Sequence, residues 1–267
     1  MNHNAWSAPA ILETLRRALE EDIGTGDVTT RACVPEARAA RGRFLAREPL
    51  VLAGTPLLPL IYRMRGGIYD LVFLKNDGDR CEDGDVIAQV YGRAHTLLEC
   101  ERVALNFLQR LSGVATAARL FADRVAGTDC RVLDTRKTTP GLRLLEKLAT
   151  EAGGVTNHRL GLFDAVLIKN NHIAAAGGVR NAIERTREEL REALAANAER
   201  LLLDNLTPEE AADWVREIAG RATVELSGGV TADNVRAYAE AGADFVSSGA
   251  MTHSARAMDL SFRLELA

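Results

Sequence analysis

The sequence of 267 residues has few cysteines, no long apolar run and no surplus of positive charge. Its four cysteines, Cys33, Cys81, Cys100 and Cys130, stand far apart and form neither a CxxC nor a Cys/His ligand pattern, so reduced thiols in a cytoplasmic protein are expected. No stretch approaches the roughly 18 uninterrupted apolar residues of a membrane span, and MNHNAWSAPAILETLRRALEED turns charged too early for a signal peptide. The formal net charge of -4 gives no global basic field for nucleic acid, so any anion site has to be built from locally clustered cations. There is no repeat of fixed period and no low-complexity tract.

What is present is a chain with 47% hydrophobic and 26% charged residues, enough to bury a substantial interior as one large barrel or two domains. Ile11, Leu12, Leu15 and Leu19 recur at helical spacing until Gly24-Thr25-Gly26-Asp27 stops them. Residues 41–46, 50–53, 69–74 and 86–91 read as short strands between Asp-Gly-Asp turns, hence an antiparallel sheet. Residues 95–124 return to helical spacing, with a break expected at Ser112-Gly113 and a domain boundary there: 1–112, then 113–256, with 257–267 returning to the first domain. In the second part, apolar strands at 131–135, 165–169, 201–204, 223–226 and 244–248 alternate with helical segments, the grammar of a parallel α/β sheet or barrel.

Each of those strands ends in polar residues. On a parallel sheet the carboxyl ends share one face, so Arg136, Lys137, Arg159 and Lys169 would meet Asp204 and Glu225 around one mouth, with His158 beside them. One such cation is an ordinary solvated loop charge. Four on one rim, in a chain of negative net charge, point to a ligand with several anionic groups: arginine offers a planar fork for carboxylate or phosphate, lysine a compact charge. LSGGVTADN (226–234) and SSGAMTHS (247–254) follow the last two strands, where glycine lets backbone N–H groups approach phosphate oxygens. Neither loop is a dinucleotide or Walker fingerprint. Thr207-Pro208-Glu209-Glu210 already reads as a helix cap, which frees Asp204 to bind a ribose hydroxyl or Mg2+.

With these residues assembled, the chain resembles the quinolinate phosphoribosyltransferase family, the decarboxylating nicotinate-nucleotide pyrophosphorylases of NAD biosynthesis. The resemblance rests on EEDIGTGDVTT, ERVALNFLQRLSGVAT, DTRKTTPGLRLLEK, NHRLGLFDAVLIKNNH, LLLDN, ELSGGVT and SSGAMTHS, in family order over most of the chain. It implies an N-terminal α/β sandwich, an incomplete (open) α/β barrel, and a homodimer whose active site is shared across subunits. It also implies Mg2+, quinolinate and phosphoribosyl pyrophosphate as ligands, with no nucleic acid or membrane. By position, Arg136, His158, Arg159 and Lys169 would line the dicarboxylate pocket, and Lys137 would sit between the two substrates. Lys137 and Lys169 would direct which carboxylate leaves. Arg102 would come from the partner subunit, Asp204 would face ribose and Mg2+, and Ser227, Gly228, Gly229, Gly249 and His253 would cradle phosphate.

The chain departs from that pattern after Arg187, which runs directly into Glu188. Family members carry there a further barrel strand with a substrate-site glutamate. The resemblance therefore implies a barrel short of one strand, with weakened or absent turnover, while composition predicts one continuous helix over residues 179–198. Asn170 and Ser248 are smaller departures. Two other functions stay open: a molybdenum-transport-associated paralogue with another substrate, and a homologue that binds ligand without turnover. The complete arginine, histidine and lysine set favours quinolinate.

Overall fold

The computed structural model describes residues 3–165, 167, 170–178, 200–220 and 222–266. Helix α1 (Pro9–Ile23) buries Ile11, Leu15 and Leu19 on one face and starts at a proline, whose missing N–H costs nothing in a first turn. Helix α2 (Val28–Cys33) begins where the Asp27 carboxylate accepts from Thr30 N at 2.9 Å. Strands β1 (Ala39–Ala46), β2 (Leu50–Val51), β3 (Asp70–Phe73), β4 (Arg80–Cys81) and β5 (Val86–Arg93) follow, with helix α3 (Leu57–Arg63) between β2 and β3. The antiparallel sheet runs β10-β1-β5-β3, where β10 (Leu260–Leu266) returns from the far end of the sequence to pair with β1 from Ala40↔Leu266 to Ala46↔Leu260. Along β1 the side chains of Ala40, Phe44 and Ala46 are buried while Arg41 stays in solvent, the alternation of a sheet covered on one face.

Helix α4 (Ala94–Val125) is the longest element, 32 residues or about 48 Å. It covers the antiparallel sheet and then continues into the second half of the molecule. Leu97, Leu108 and Leu111 belong to the first hydrophobic core, Ala118, Phe121 and Val125 to a second one. The expected break at Ser112-Gly113 does not occur. Gly113 is there for proximity: a Cβ built on it would lie 1.9 Å from the carbonyl oxygen of Arg256, so the glycine lets the segment leading into β10 lie directly on the helix. Ser112, fully buried, has its hydroxyl 3.1 Å from Ala53 N, a bond to the first domain's loop that needs no interruption of the helix.

The second part holds β6 (Arg131–Leu133), α5 (Arg143–Ala152), α6 (Asn170–Ala176), β7 (Arg200–Asp204), α7 (Pro208–Ile218), β8 (Thr223–Ser227), α8 (Val235–Glu240), β9 (Phe245–Ser247) and α9 (Ala250–His253). All described neighbours in its sheet are parallel, in the order β6-β9-β8-β7. The molecule is thus a mixed α/β fold, an N-terminal antiparallel sheet region beside a parallel-sheet region. Thr207 and Glu210 form the reciprocal capping box at the start of α7 that Thr-Pro-Glu-Glu announces. Of the strand expected at 165–169, Val166, Ile168 and Lys169 lie outside the described residues, as do the helix expected over 179–198 and the strand expected to be missing after Arg187. No described helix is long and apolar enough to cross a membrane. The four cysteines are free, and burial pushes the thiols of Cys81 and Cys130 up to about 11 and that of Cys100 up to about 12.

Two measurements test this packing. In an exposed helix Gly→Ala stabilises by about 1 kcal/mol; Gly113→Ala should instead lower stability by about 1–3 kcal/mol in urea denaturation, because the new methyl meets a backbone carbonyl. Glu48 ties the loop after β1 to the approach to β10, accepting from Arg256 Nη1 at 2.8 Å and Asp259 N at 2.7 Å, and Arg256 with that N–H holds its carboxyl down to about 2. A depressed folded value means the contribution is complete above the ordinary carboxylate range and disappears as pH falls towards 2. Glu48→Gln should therefore flatten the decline of stability between about pH 4.5 and 2.

Candidate active site

The carboxyl end of β6 runs into Asp134, which is fully buried. An isolated buried carboxylate is costly, and the chain answers with a complete set of partners. Lys147, on the inner face of α5, donates to Asp134 Oδ1 at 2.6 Å and to the carbonyl of His158 at 2.8 Å. The N–H of His158 donates to the same Oδ1 at 2.7 Å, and the Thr150 hydroxyl reaches Oδ2 at 3.1 Å. With the Asn157 amide turned so that its nitrogen donates, Oδ2 gains a further bond at 2.7 Å. Burial pushes the Asp134 carboxyl up and Lys147 opposes that shift. One ion pair therefore fixes both backbone polar groups of residue 158 relative to the end of β6.

Beyond this pair the carboxyl ends of the strands enclose a cavity of about 820 Å3. Arg136, Lys137, His158, Arg159, Asp204, Ser227, Gly228, Gly229, Gly249 and His253 all line it, together with Glu225, Asn205 and Thr135. Lys169 lies outside the described residues. Arg102 is exposed on α4 and does not line the cavity of its own chain. Of the arginines that line it, Arg136 and Arg159 both have a buried Nε without a hydrogen-bond partner. Buried donors left open next to a cavity are what an anionic ligand would satisfy.

His158 and Glu225 form the floor. The N–H of Arg159 donates to His158 Nδ1 at 2.6 Å, which leaves the proton of a neutral ring on Nε2. Nε2 stands 3.3 Å from Glu225 Oε1 without an aligned hydrogen bond, since that oxygen has no hydrogen-bond partner, and the approach becomes an ion pair when the ring is protonated. Arg200 Nη1 approaches the other oxygen at 3.6 Å. Burial raises the Glu225 carboxyl, but His158, Ser247 and Arg200 together hold it below its ordinary value.

The two glycine loops also line the cavity. Gly228 and Gly229 have φ of +91° and +64°, and a side chain on Gly228 would strike Asn205, whose backbone N–H donates to Ser227 O at 2.8 Å. Asn234 holds this loop from below, accepting from Thr231 N at 2.7 Å and donating to Gly229 O at 3.0 Å. Among the described residues the N–H groups of Gly228, Gly229 and Gly249 have no intrachain acceptor. A Cβ on Gly249 would lie 2.7 Å from Lys137 Cδ, so the lysine stem packs on that glycine.

Sequence reasoning placed Glu225 on the rim without giving it a role, and gave Asp134 and Lys147 no place in the site. The signal for the last two was the inner face of α5, where Glu146, Lys147 and Thr150 are buried alongside Leu145, Ala149 and Ala152. Charged residues at inward helical positions demand partners elsewhere.

A parallel sheet with a cation-lined cavity at its carboxyl ends and glycine loops with open N–H groups defines an α/β protein with a site suited to anions. More narrowly, this chain belongs to the quinolinate phosphoribosyl transferase family: its residues 27–112 match the family's N-terminal domain and 114–263 its C-terminal domain. It is 39% identical to the nicotinate-nucleotide pyrophosphorylase (carboxylating) of Mycobacterium leprae, over 96% of this chain and 97% of that protein. The chloroplastic protein of the same name from Arabidopsis thaliana is also 39% identical, over 99% of this chain and 84% of that one. The crystal structure of nicotinate-nucleotide pyrophosphorylase from Ehrlichia chaffeensis superimposes with a TM-score of 0.87 at 36% identity, covering 95% of this chain and 98% of that one.

Removing Lys147 would strand the buried Asp134. Lys147→Met should cost about 3–5 kcal/mol of unfolding free energy, while Asp134→Asn with Lys147→Met should cost clearly less than the two single changes summed. Urea denaturation of the four chains measures the coupling.

Proposed function

We propose that this chain joins quinolinate to phosphoribosyl pyrophosphate, giving nicotinate mononucleotide, pyrophosphate and carbon dioxide. The observation that carries this is the cavity itself, lined by two guanidinium groups with open buried donors, by glycine loops with open N–H groups, and by Lys137, whose stem rests on Gly249. A pyridine dicarboxylate fits the first set and a phosphorylated ribose the second. The relatives' names support the reaction.

Arg136, His158 and Arg159, with Lys169, bind the dicarboxylate. His158 can donate from Nε2, because Glu225 leaves that proton without an aligned acceptor. Ser227, Gly228, Gly229, Gly249 and His253 receive phosphate, and Asp204 accepts from a ribose hydroxyl. Lys137 lies where the two anions meet. The partner subunit's Arg102 completes the pocket in a cytoplasmic homodimer, and the second region is an open barrel.

The described residues contain no cluster of three or more His, Cys, Asp or Glu side chains able to hold a metal. The single Asp204 carboxylate beside the glycine loop suits Mg2+ that arrives on the pyrophosphate, since Mg2+ commonly takes one carboxylate with substrate phosphates. Bound there, Mg2+ would neutralise charge on the leaving group.

The chain's own residues do the rest. The two binding sets hold the pyridine nitrogen in line with the anomeric carbon, which replaces an improbable encounter by a fixed geometry. As the carbon–pyrophosphate bond breaks, Lys137 stabilises the departing negative charge. The pyridine nitrogen supplies the electron pair for the new bond to that carbon. The ring nitrogen is then positive and stabilises the electron pair left on the adjacent ring carbon when its carboxylate departs as carbon dioxide; that carbon takes up a proton from solvent to give nicotinate mononucleotide, while Lys137 and Lys169 determine which carboxylate is placed to go.

The test is release of carbon dioxide from carboxyl-labelled quinolinate with formation of nicotinate mononucleotide. Arg136→Ala should raise the KM for quinolinate by about tenfold or more, the loss of a charge-assisted hydrogen bond. Lys137→Ala should lower kcat by roughly a hundredfold at saturating substrates. Unchanged kinetics in both variants, or no carbon dioxide from the unaltered chain, would remove this assignment.

A further inference from the structure

Outside the cavity, the guanidinium of Arg110 on α4 holds three segments at once. Its Nε and Nη2 donate to Glu146 Oε1 on α5 at 3.0 and 2.6 Å. Its Nη1 donates to the carbonyl of Ala255 at 2.7 Å, and Nη2 also to the carbonyl of Thr252 at 2.8 Å and the Thr139 hydroxyl at 3.2 Å. Glu146, fully buried, completes the arrangement by accepting from Thr139 N at 3.0 Å and from the Thr139 hydroxyl at 2.7 Å. The loop that follows β6 and the loop that follows β9 are therefore fastened to one planar cation. The two loops also meet directly: the buried Thr252 hydroxyl donates to the carbonyl of Lys137 at 2.8 Å, and the Lys137 stem rests on Gly249.

We propose that Arg110 is a positioning residue for the reaction: by fixing the distance between these two loops it places Lys137, and with it the boundary between the dicarboxylate set and the phosphate set. This rests on the functional reading above. Arg110 does not line the cavity, so it acts through Thr139, Thr252 and Ala255 on the segments that carry Lys137 and Gly249. A planar fork suits the task, because it addresses a carboxylate and two backbone carbonyls in fixed directions; a lysine in its place keeps the charge but has no such geometry. A shift of about 1 Å in a group that must stabilise charge only in the transition state can cost on the order of a hundredfold in rate. His158 and Arg159 are anchored separately, through Asp134 and Lys147, so dicarboxylate binding by those two residues does not depend on Arg110.

The experiment compares the full-length chain with Arg110→Lys in steady-state kinetics and in backbone hydrogen exchange. Expected are a kcat lowered by about ten- to a hundredfold, a KM for quinolinate within about threefold, and faster exchange in both 137–139 and 250–255 with no change at 158–159. Thr252→Val, which removes only the hydroxyl link, should show the same kinetic direction more weakly, and serves if the arginine variant does not fold. Millimolar guanidinium ion added to Arg110→Ala should restore part of kcat, a recovery that a general loss of stability would not allow. An unchanged kcat in folded Arg110→Lys and Thr252→Val, or faster exchange in only one of the two loops, overturns the inference. If the unaltered chain releases no carbon dioxide, the functional reading falls and takes the catalytic role of Arg110 with it, whereas unlinked exchange in an active enzyme refutes the clamp alone.

Discussion

The buried pair of Asp134 and Lys147 is the constraint on which the site depends. A strand that ends in an ionised carboxylate inside the protein requires a cation and further donors, and here those come from α5, from Thr150 and from the backbone of His158. The requirement acts as a fixture. Since the carboxylate cannot be left unpaired, α5 and residues 157–158 have to return to the end of β6, and Arg136 and His158 are brought to one cavity from positions about twenty residues apart. Such a pair adds little to net stability compared with apolar packing, and its effect lies in the single geometry it permits.

Around that fixture the fold is organised by α4. It gives Leu97 to Leu111 to one hydrophobic core and Ala118 to Val125 to the other, so the two regions share a rigid element instead of a linker. Gly113, near its middle, is where the chain on its way to β10 crosses the helix at backbone contact distance. The cavity is thereby referred to one axis: Arg110 on this helix reaches both loops of the site, and Arg102 stands exposed two turns earlier on the same helix.

Much of this was legible in the sequence. Polar residues at the ends of apolar strands, with glycine after the last two, predicted the residues that the structure gathers in one cavity, because parallel strands leave their carboxyl ends no alternative. The start of helix α7 was legible as a cap followed by proline and an acidic first turn. Less legible were features that depend on tertiary contact. Ser112-Gly113 has the local chemistry of a helix break, and only the carbonyl of Arg256 lying against it explains why a glycine persists inside a continuous helix. Glu146 and Lys147 carried no reading in the sequence, and only the packing of α5 shows them buried. Glu225 reads as one of several rim charges, and its position beneath His158 follows from the register of β8 against its neighbours.

The position of β10 sets an order on how the molecule comes into being. The antiparallel sheet pairs β1 with a strand more than two hundred residues later, so a chain emerging from the ribosome carries β1 with one of its edges open through the synthesis of the entire parallel-sheet region. Contacts of such high sequence separation form late and slow folding. The first region to be made is then among the last to be finished, and until the closing strand arrives its exposed edge is the part of the nascent chain most prone to pair with the wrong partner.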